Sequence, residues 1–155
     1  MILRSSPPSP YVRKVKIAAS LLGLSDQIEI VPTDTIDPND SIRQQNPLGK
    51  IPALILDDGM VVYDSRVIVE CLDLKAGGGK IIPHGAERIA TLTLQALADG
   101  IMDAAILQMY ERRFREEARR EPKWIEHQQG KIDRALAGLE AQDLPLHSTP
   151  WIGEI

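Results

Sequence analysis

The chain has 155 residues, of which 43% are hydrophobic and 26% charged, and its formal net charge is −4. This composition suits one globular domain, or one domain and part of a second, and the acidic balance argues against nucleic-acid binding and against attraction to anionic lipid. Cys71 is the single cysteine, which excludes an intrachain disulfide. The three histidines lack metal-ligand spacing, and no uninterrupted apolar run approaches a membrane span. Without an apolar leader, and with one free thiol, we expect a cytoplasmic location.

The first thirty residues predict a strand, a helix and a second strand. Residues 1–4 form a short apolar run, and the proline-rich loop that follows cannot be helical. Ser9 stands where an N-cap belongs and Pro10 at the first helical position, while Gly23 marks the end of the helix. Residues 28–31 form the second strand, which we expect to lie parallel to the first through a right-handed crossover.

Two short apolar runs separated by an Asp-Gly turn predict a β-hairpin over residues 53–63. Pro52 stands at its head, where a missing N–H is tolerated. If the bond before Pro52 is cis, the backbone of Ile51 is left unpaired and faces outward. Asp64-Ser65 then opens a helix reaching about Lys75, with Ser65 as the expected N-cap.

A glycine run at 77–79 and Pro83 mark the predicted domain boundary. We therefore assign residues 1–76 to an α/β domain with a four-stranded mixed sheet, 77–85 to a linker and 86–155 to a partial all-helical domain. A long helix is expected from 86 to about 120, and the next from Pro122. The apolar positions of the long helix are expected to share one side: Ile89, Leu92, Ala96 and Leu97. Thr149-Pro150 looks like a further helix start.

Two helix starts are the candidate chemical sites. Ser9 either only caps its helix or also holds a thiolate, because a helix N-terminus carries partial positive charge and free N–H groups. At the second start, the helix N–H groups suit a carboxylate while Asp64 suits an ammonium, a pair of groups that an α-amino acid presents. Capping alone remains the simpler interpretation for each.

Several segments together resemble the glutathione transferase superfamily, and the bacterial serine-type members in particular. They are Asn-Pro-Leu-Gly-Lys-Ile-Pro-Ala-Leu at 46–54, Tyr-Asp-Ser-Arg-Val-Ile at 63–68, Ser-Pro-Tyr-Val-Arg-Lys at 9–14 and Ala-Asp-Gly-Ile-Met-Asp at 98–103. The resemblance implies a thioredoxin-like N-terminal domain, an all-helical C-terminal domain, a homodimer, and glutathione as co-substrate without a metal.

The resemblance also implies roles for individual residues. Ser9 matches the catalytic residue that contacts the glutathione sulfur, and Ile51 and Pro52 match the backbone contact and the cis-proline. Three further positions are implied as glutathione contacts: Asp64 and Ser65 at the γ-glutamyl end, and Lys50 at the glycine carboxylate. Asp103 resembles an acid that reaches glutathione in the partner subunit. The electrophile is expected beside Met102, Ile106 and Tyr110.

The chain departs from the family pattern in three places. The helical domain stops where the family begins a central helix, and its capping box is matched by Trp151 at the cap position and Glu154 as the acid. Cys71 replaces a commoner aromatic residue. The basic residues that some classes use for the glycine carboxylate have no counterpart around Asp37-Pro38.

The expected function is therefore a detoxification-type transferase that conjugates the glutathione thiolate to a small electrophile. Disulfide exchange is less favoured, because Ser9 stands where that chemistry needs a cysteine. The alternative is a non-catalytic interaction protein on the same scaffold that binds transcription or translation machinery, since fold alone does not assign function.

Overall fold

The structure, a computed structural model, describes residues 1–144 and 147–155 and contains a four-stranded mixed sheet. Its strands are β1 (Ile2–Ser5), β2 (Glu29–Pro32), β3 (Ala53–Ile55) and β4 (Val61–Val62), in the order β2-β1-β3-β4. β1 is parallel to β2, and β3 is antiparallel to β1 and to β4. The predicted thioredoxin-like arrangement of the first half is thus confirmed.

The helices are α1 (Pro10–Leu21), α2 (Ile42–Gln45), α3 (Ser65–Lys75), α4 (Ala86–Phe114) and α5 (Pro122–Glu140). We call β1–β4 with α1–α3 the sheet domain, and α4 with α5 the helical segment. Short 3₁₀ turns lie at Ser25–Gln27 and Glu117–Arg119. α4 ends six residues before the predicted position of about 120, because the chain becomes extended at Arg115.

Glycines end α1 and turn the hairpin as predicted. Gly23 follows α1 with a φ of +70°, and Gly59 turns the hairpin with a φ of +86°. Both values lie in the left-handed region, which glycine enters without the steric cost of a Cβ. These two residues therefore set the lengths of the elements before them.

The sheet domain has a closed apolar core that extends into the predicted linker. Ile81 and Ile82 are fully buried in that core, and the Asp73 carboxylate accepts the backbone N–H groups of Gly79, Lys80 and Ile81 at 2.8, 3.0 and 2.9 Å. The glycine run is thereby held against the end of α3. Residues 79–82 thus pack as part of the sheet domain.

The face of α4 that is most deeply buried is polar. Thr91, Gln95 and Asp99 recur every fourth residue and are 5%, 4% and 2% exposed, respectively. The predicted apolar side was partly wrong, since Leu92 packs against the core but Ile89 is 68% exposed. An apolar periodicity does not reveal a face whose side chains are buried by pairing with polar groups across the domain boundary.

By length and composition alone α4 could cross a membrane. Its contacts are those of a helix inside a folded domain, because it packs along α5 and its Asp99 pairs with Lys14 of α1. The predicted helix start at Thr149-Pro150 leads only to a turn in the described residues, and Ile152 returns to the sheet domain, donating its N–H to Ile81 at 2.8 Å.

Candidate functional site

The strand topology brings the two candidate helix starts to one end of the sheet. Since β3 runs antiparallel to β1 and β4, the carboxyl ends of β1 and β4 lie beside the amino end of β3. α1 follows β1 after a short loop, α3 follows β4 directly, and the two helices pack against each other. Ser9, Pro52 and Asp64 therefore share one edge of the sheet domain.

Ser9 is the N-cap of α1, as predicted. Its Oγ accepts the backbone N–H of Val12 at 3.3 Å, and Pro10 occupies the first helical position. The first turn carries no acidic side chain, so the partial positive charge of the helix start is not neutralised within that turn. The half-buried Ser9 is thus placed where an anion is stabilised.

Asp64 caps α3, so the prediction that Ser65 is the cap was wrong. Asp64 Oδ1 accepts the N–H of Arg66 at 3.0 Å, and Ser65 becomes the first helical residue and is 3% exposed. Asp and Ser cap about equally well, and local spacing did not distinguish them. The exposed Asp64 retains a second carboxylate oxygen for a cation.

The segment between the helix starts has the predicted cis bond at Ile51–Pro52. Ile51 makes no backbone hydrogen bond within the described residues, so its N–H and C=O groups remain available at this end of the sheet. Lys50 precedes it and is exposed.

Asn46 shapes the loop before Ile51, a role that the sequence interpretation missed. The Asn46 side chain is buried, donates to the Lys50 carbonyl oxygen at 2.9 Å and accepts the N–H of Leu48 at 3.1 Å. Gly49 completes the turn with a φ of +60°. An Asn followed by Pro and Gly is a recognisable side-chain-to-backbone turn signal, and it could have identified this residue.

Tyr11 connects the start of α1 to α4. Its hydroxyl donates to Asp103 Oδ1 at 2.5 Å. Burial, and next this hydrogen bond to a carboxylate, raise the pKa of Tyr11 far above its ordinary value, and the nearby Asp99 and Tyr110 act in the same direction. Asp103, predicted to face a partner subunit's ligand, therefore uses one oxygen within its own chain.

The predicted electrophile residues lie on α4 beside this contact. Met102 and Ile106 are half-buried, and Tyr110 is 41% exposed with its ring against Phe114 at 5.3 Å between centroids. The spacing of four places all three on one side of α4. They share this side with no other predicted site residue except Asp103, whose carboxylate accepts the Tyr11 hydroxyl of α1.

A buried ion cluster joins both helix starts to α4. Asp99 is 2% exposed; its Oδ1 accepts Lys14 Nζ from α1 at 2.6 Å, and its Oδ2 accepts Arg66 Nε from α3 at 2.7 Å. The hydrogen bond to Asp99 raises the pKa of Arg66 further. No role was predicted for these three residues; an acid within the apolar middle of a helix was the available signal, because a buried charge requires partners.

The candidate site lies at an open end of the sheet, whereas a partly open cavity lies elsewhere. That cavity, of about 380 Å³, is lined by α4 and the chain after α5, including Leu94, Leu97 and Trp151. None of the predicted site residues lines it. Among residues 1–144 and 147–155 no cluster of His, Cys, Asp or Glu is arranged to hold a metal ion.

Comparison with known proteins identifies relatives that match most of the chain. The family model for the glutathione S-transferase N-terminal domain matches residues 8–75. A crystal structure of a glutathione transferase family member from Pseudomonas fluorescens Pf-5, with bound glutathione, is 45% identical with a TM-score of 0.85. The match covers 91% of this chain and 70% of that one.

Curated relatives fall into two groups. The uncharacterized GST-like protein YibF of Escherichia coli K12 is 33% identical over 141 residues, which are 90% of this chain and 68% of the relative. A stringent starvation protein A homologue of Histophilus somni is 29% identical over 90 residues, which are 55% of this chain and 41% of that protein.

Proposed function

This chain belongs to the glutathione S-transferase family, and from that premise we propose that it binds glutathione and adds its thiolate to a small electrophile. The observation that carries the proposal is that two capped helix starts and the unpaired backbone of Ile51 lie at one end of the sheet. The bound glutathione of the Pseudomonas fluorescens relative supports the same ligand.

Ser9 would act on the sulfur. Its Oγ already accepts the Val12 N–H, which leaves the hydroxyl proton free to donate to a thiolate. The dipole of α1 acts in the same direction and lowers the pKa of the bound thiol. The thiol proton passes to solvent, the thiolate attacks the electrophilic carbon, and the leaving group of an aryl halide departs as halide.

The other glutathione groups would be held along the sheet edge. The Asp64 carboxylate suits the γ-glutamyl ammonium, and the Ser65 hydroxyl with the α3 N-terminus suits the adjacent carboxylate. The backbone of Ile51 beside Pro52 pairs with the peptide in the manner of an added strand. Lys50 would then approach the glycine carboxylate.

The electrophile would lie between the loop before Ser9 and the side of α4 that carries Met102, Ile106 and Tyr110. We further propose a cytoplasmic homodimer with a detoxifying role, in which Asp103 uses its second oxygen toward glutathione of the partner subunit. Sedimentation analysis tests the dimer directly, and a monomer at working concentration would contradict it.

Two measurements test the enzyme proposal. Titration calorimetry with reduced glutathione should show saturable binding, and an aryl halide should be conjugated faster with the protein than without it. Ser9→Ala should lower kcat by about 10²–10³, the usual effect of removing one donor to a developing or bound anion. A folded chain without any glutathione-dependent rate would contradict the enzymatic function.

The second candidate function is an interaction protein, and the similarity to a stringent starvation protein A homologue favours its consideration. Retention on immobilised glutathione separates the two. A chain that passes through such a column while remaining folded supports the interaction protein, whereas retention that Asp64→Asn weakens supports the enzyme.

A further inference from the structure

The seam between α4 and the sheet domain is crossed by polar side chains. Tyr11 reaches Asp103, Lys14 and Arg66 reach Asp99, and Arg88 pairs with Glu70 of α3. Of these four contacts, only the Lys14–Asp99 ion pair has both side chains more than nine-tenths buried. Because buried charges must be paired, this cluster constrains the positions of its partners more than a surface ion pair would.

Asp99 holds one partner from each helix that begins at the candidate site. Arg66 directly follows Ser65, and its N–H is the group that Asp64 caps. Lys14 lies five residues after Ser9 on α1, or about 7.5 Å along the helix axis. One carboxylate, using both oxygens, therefore connects the start of α1 to the start of α3 through α4.

We propose that Asp99 is a positioning residue that couples the two ends of the glutathione site, so that the sulfur end and the γ-glutamyl end are aligned together. This inference rests on the proposed glutathione binding. Lys14 transmits the constraint to Ser9 along a rigid helix, and Arg66 transmits it to Asp64 and Ser65. Movement of either helix start relative to the other would break one of the two hydrogen bonds to Asp99.

Loss of the Lys14 hydrogen bond to Asp99 and loss of the Arg66 hydrogen bond to Asp99 should have different consequences for binding and catalysis. Releasing α1 by Lys14→Met should raise the pKa of bound glutathione thiol and lower kcat, because Ser9 and the helix dipole no longer align on the sulfur. Releasing α3 by Arg66→Met should chiefly raise the Kd for glutathione. We expect about a tenfold effect for each, within the range of coupling seen for residues in one ion network.

The decisive test is a double-mutant cycle through Asp99. Lys14→Met should lower kcat in the wild-type background and have less than a twofold further effect in Asp99→Asn. The bound thiol is followed by its ultraviolet thiolate absorbance across pH, and the Kd by calorimetry. Lys14→Arg and Arg66→Lys, which keep the cations, should recover most of the loss.

A matched control is available in the same seam. Arg88 pairs with Glu70 and also joins α4 to α3, but neither residue borders a helix start of the site. Arg88→Met should leave the Kd for glutathione and the thiol pKa within twofold of wild type. If Arg88→Met changed the Kd and the thiol pKa as much as Lys14→Met does, any contact between α4 and the sheet domain would have the same effect. That result would overturn the inference.

The remaining outcomes are also distinct. If Asp99→Asn does not fold, the inference is still tested by Lys14→Met and Arg66→Met together with Lys14→Arg and Arg66→Lys. We expect these variants to fold, because Arg66 is half exposed and Lys14→Met introduces no charge. An undiminished effect of Lys14→Met on kcat in the Asp99→Asn background, with wild-type binding intact, would overturn the coupling and leave the proposed function standing. Absence of glutathione binding by the unmodified chain would overturn both.

Discussion

The two helices that border the candidate site begin with the same device but opposite electrostatics. Ser9 caps α1 with a neutral hydroxyl, and the first turn after it has no acid. Asp64 caps α3 with a carboxylate. A neutral cap leaves the positive helix end available to an anion, whereas an acidic cap attracts a cation. The two caps are expected to stabilise their helices about equally. The Ser9 cap suits an anionic group of a ligand, whereas the Asp64 cap suits a cationic group.

The largest expected loss of activity comes from giving α1 an acidic cap like that of α3. Ser9→Asp keeps a good cap, so the free energy of unfolding should change by no more than about 0.5 kcal/mol. The new carboxylate would face the thiolate and raise its pKa, and the hydroxyl donor is lost as well, so kcat/KM should fall by about 10³ or more. Conjugation rates and thermal unfolding measure the two effects separately.

Retained activity in that variant would show that the start of α1 does not face the sulfur. Ser9→Thr is its matched control, since it keeps a capping hydroxyl without charge and should lose far less activity.

The reciprocal change at α3 should affect affinity. Asp64→Ser keeps a cap but removes the carboxylate that would hold the ammonium, so the Kd for glutathione should rise about tenfold to a hundredfold, the value of a charged hydrogen bond. Calorimetry measures this Kd. An unchanged Kd together with unchanged stability would leave Asp64 with a capping role alone.

A third variant changes the reactive group at the start of α1 and adds no carboxylate there. Ser9→Cys should gain thiol-transfer activity, because a helix start lowers a cysteine pKa below its free value of about 8.5. The introduced thiolate would attack the glutathionyl sulfur of a mixed disulfide and release the substrate thiol, and a second glutathione would restore the cysteine. Release of a chromogenic thiol follows the reaction; no gain over wild type would place the sulfur elsewhere.

The smallest effect is expected at a capped turn remote from the site. Glu154 accepts the N–H groups of Trp151 and His147 at 2.6 and 3.1 Å. Burial alone would raise the pKa of Glu154, but these backbone hydrogen bonds, with that to the His147 ring, hold it below its ordinary value. Glu154→Gln should therefore cost about 1 kcal/mol of unfolding free energy at neutral pH, as caps do, without changing the Kd for glutathione.

The pH dependence of that cost has a definite sign. A carboxyl whose pKa is lower in the folded state stabilises the fold above its unfolded pKa, and that contribution is lost as pH falls through the folded pKa. The difference between wild type and Glu154→Gln should thus be full at neutral pH and shrink below about pH 4. Urea unfolding at several pH values measures it, and a constant difference would exclude an ionised Glu154 as the cause.

The amino-acid sequence by itself determined where α1 begins and ends and where the hairpin turns. Ser9 and Pro10 start α1, Gly23 ends it, and Gly59 turns the hairpin, because caps and turns depend on groups within a few residues of one another. The same locality made Ser65 and Asp64 equivalent in the sequence, so the choice of cap at α3 was predicted wrongly.

Only the tertiary structure decided how those elements are joined. Asp99 pairs with Lys14 and Arg66, which lie 85 and 33 residues away along the chain. No spacing rule connects positions so far apart, because their meeting depends on the strand order and on how α4 crosses α1 and α3. The sequence indicated the two ends of a candidate ligand site, and the fold placed one buried carboxylate between the helices that begin there.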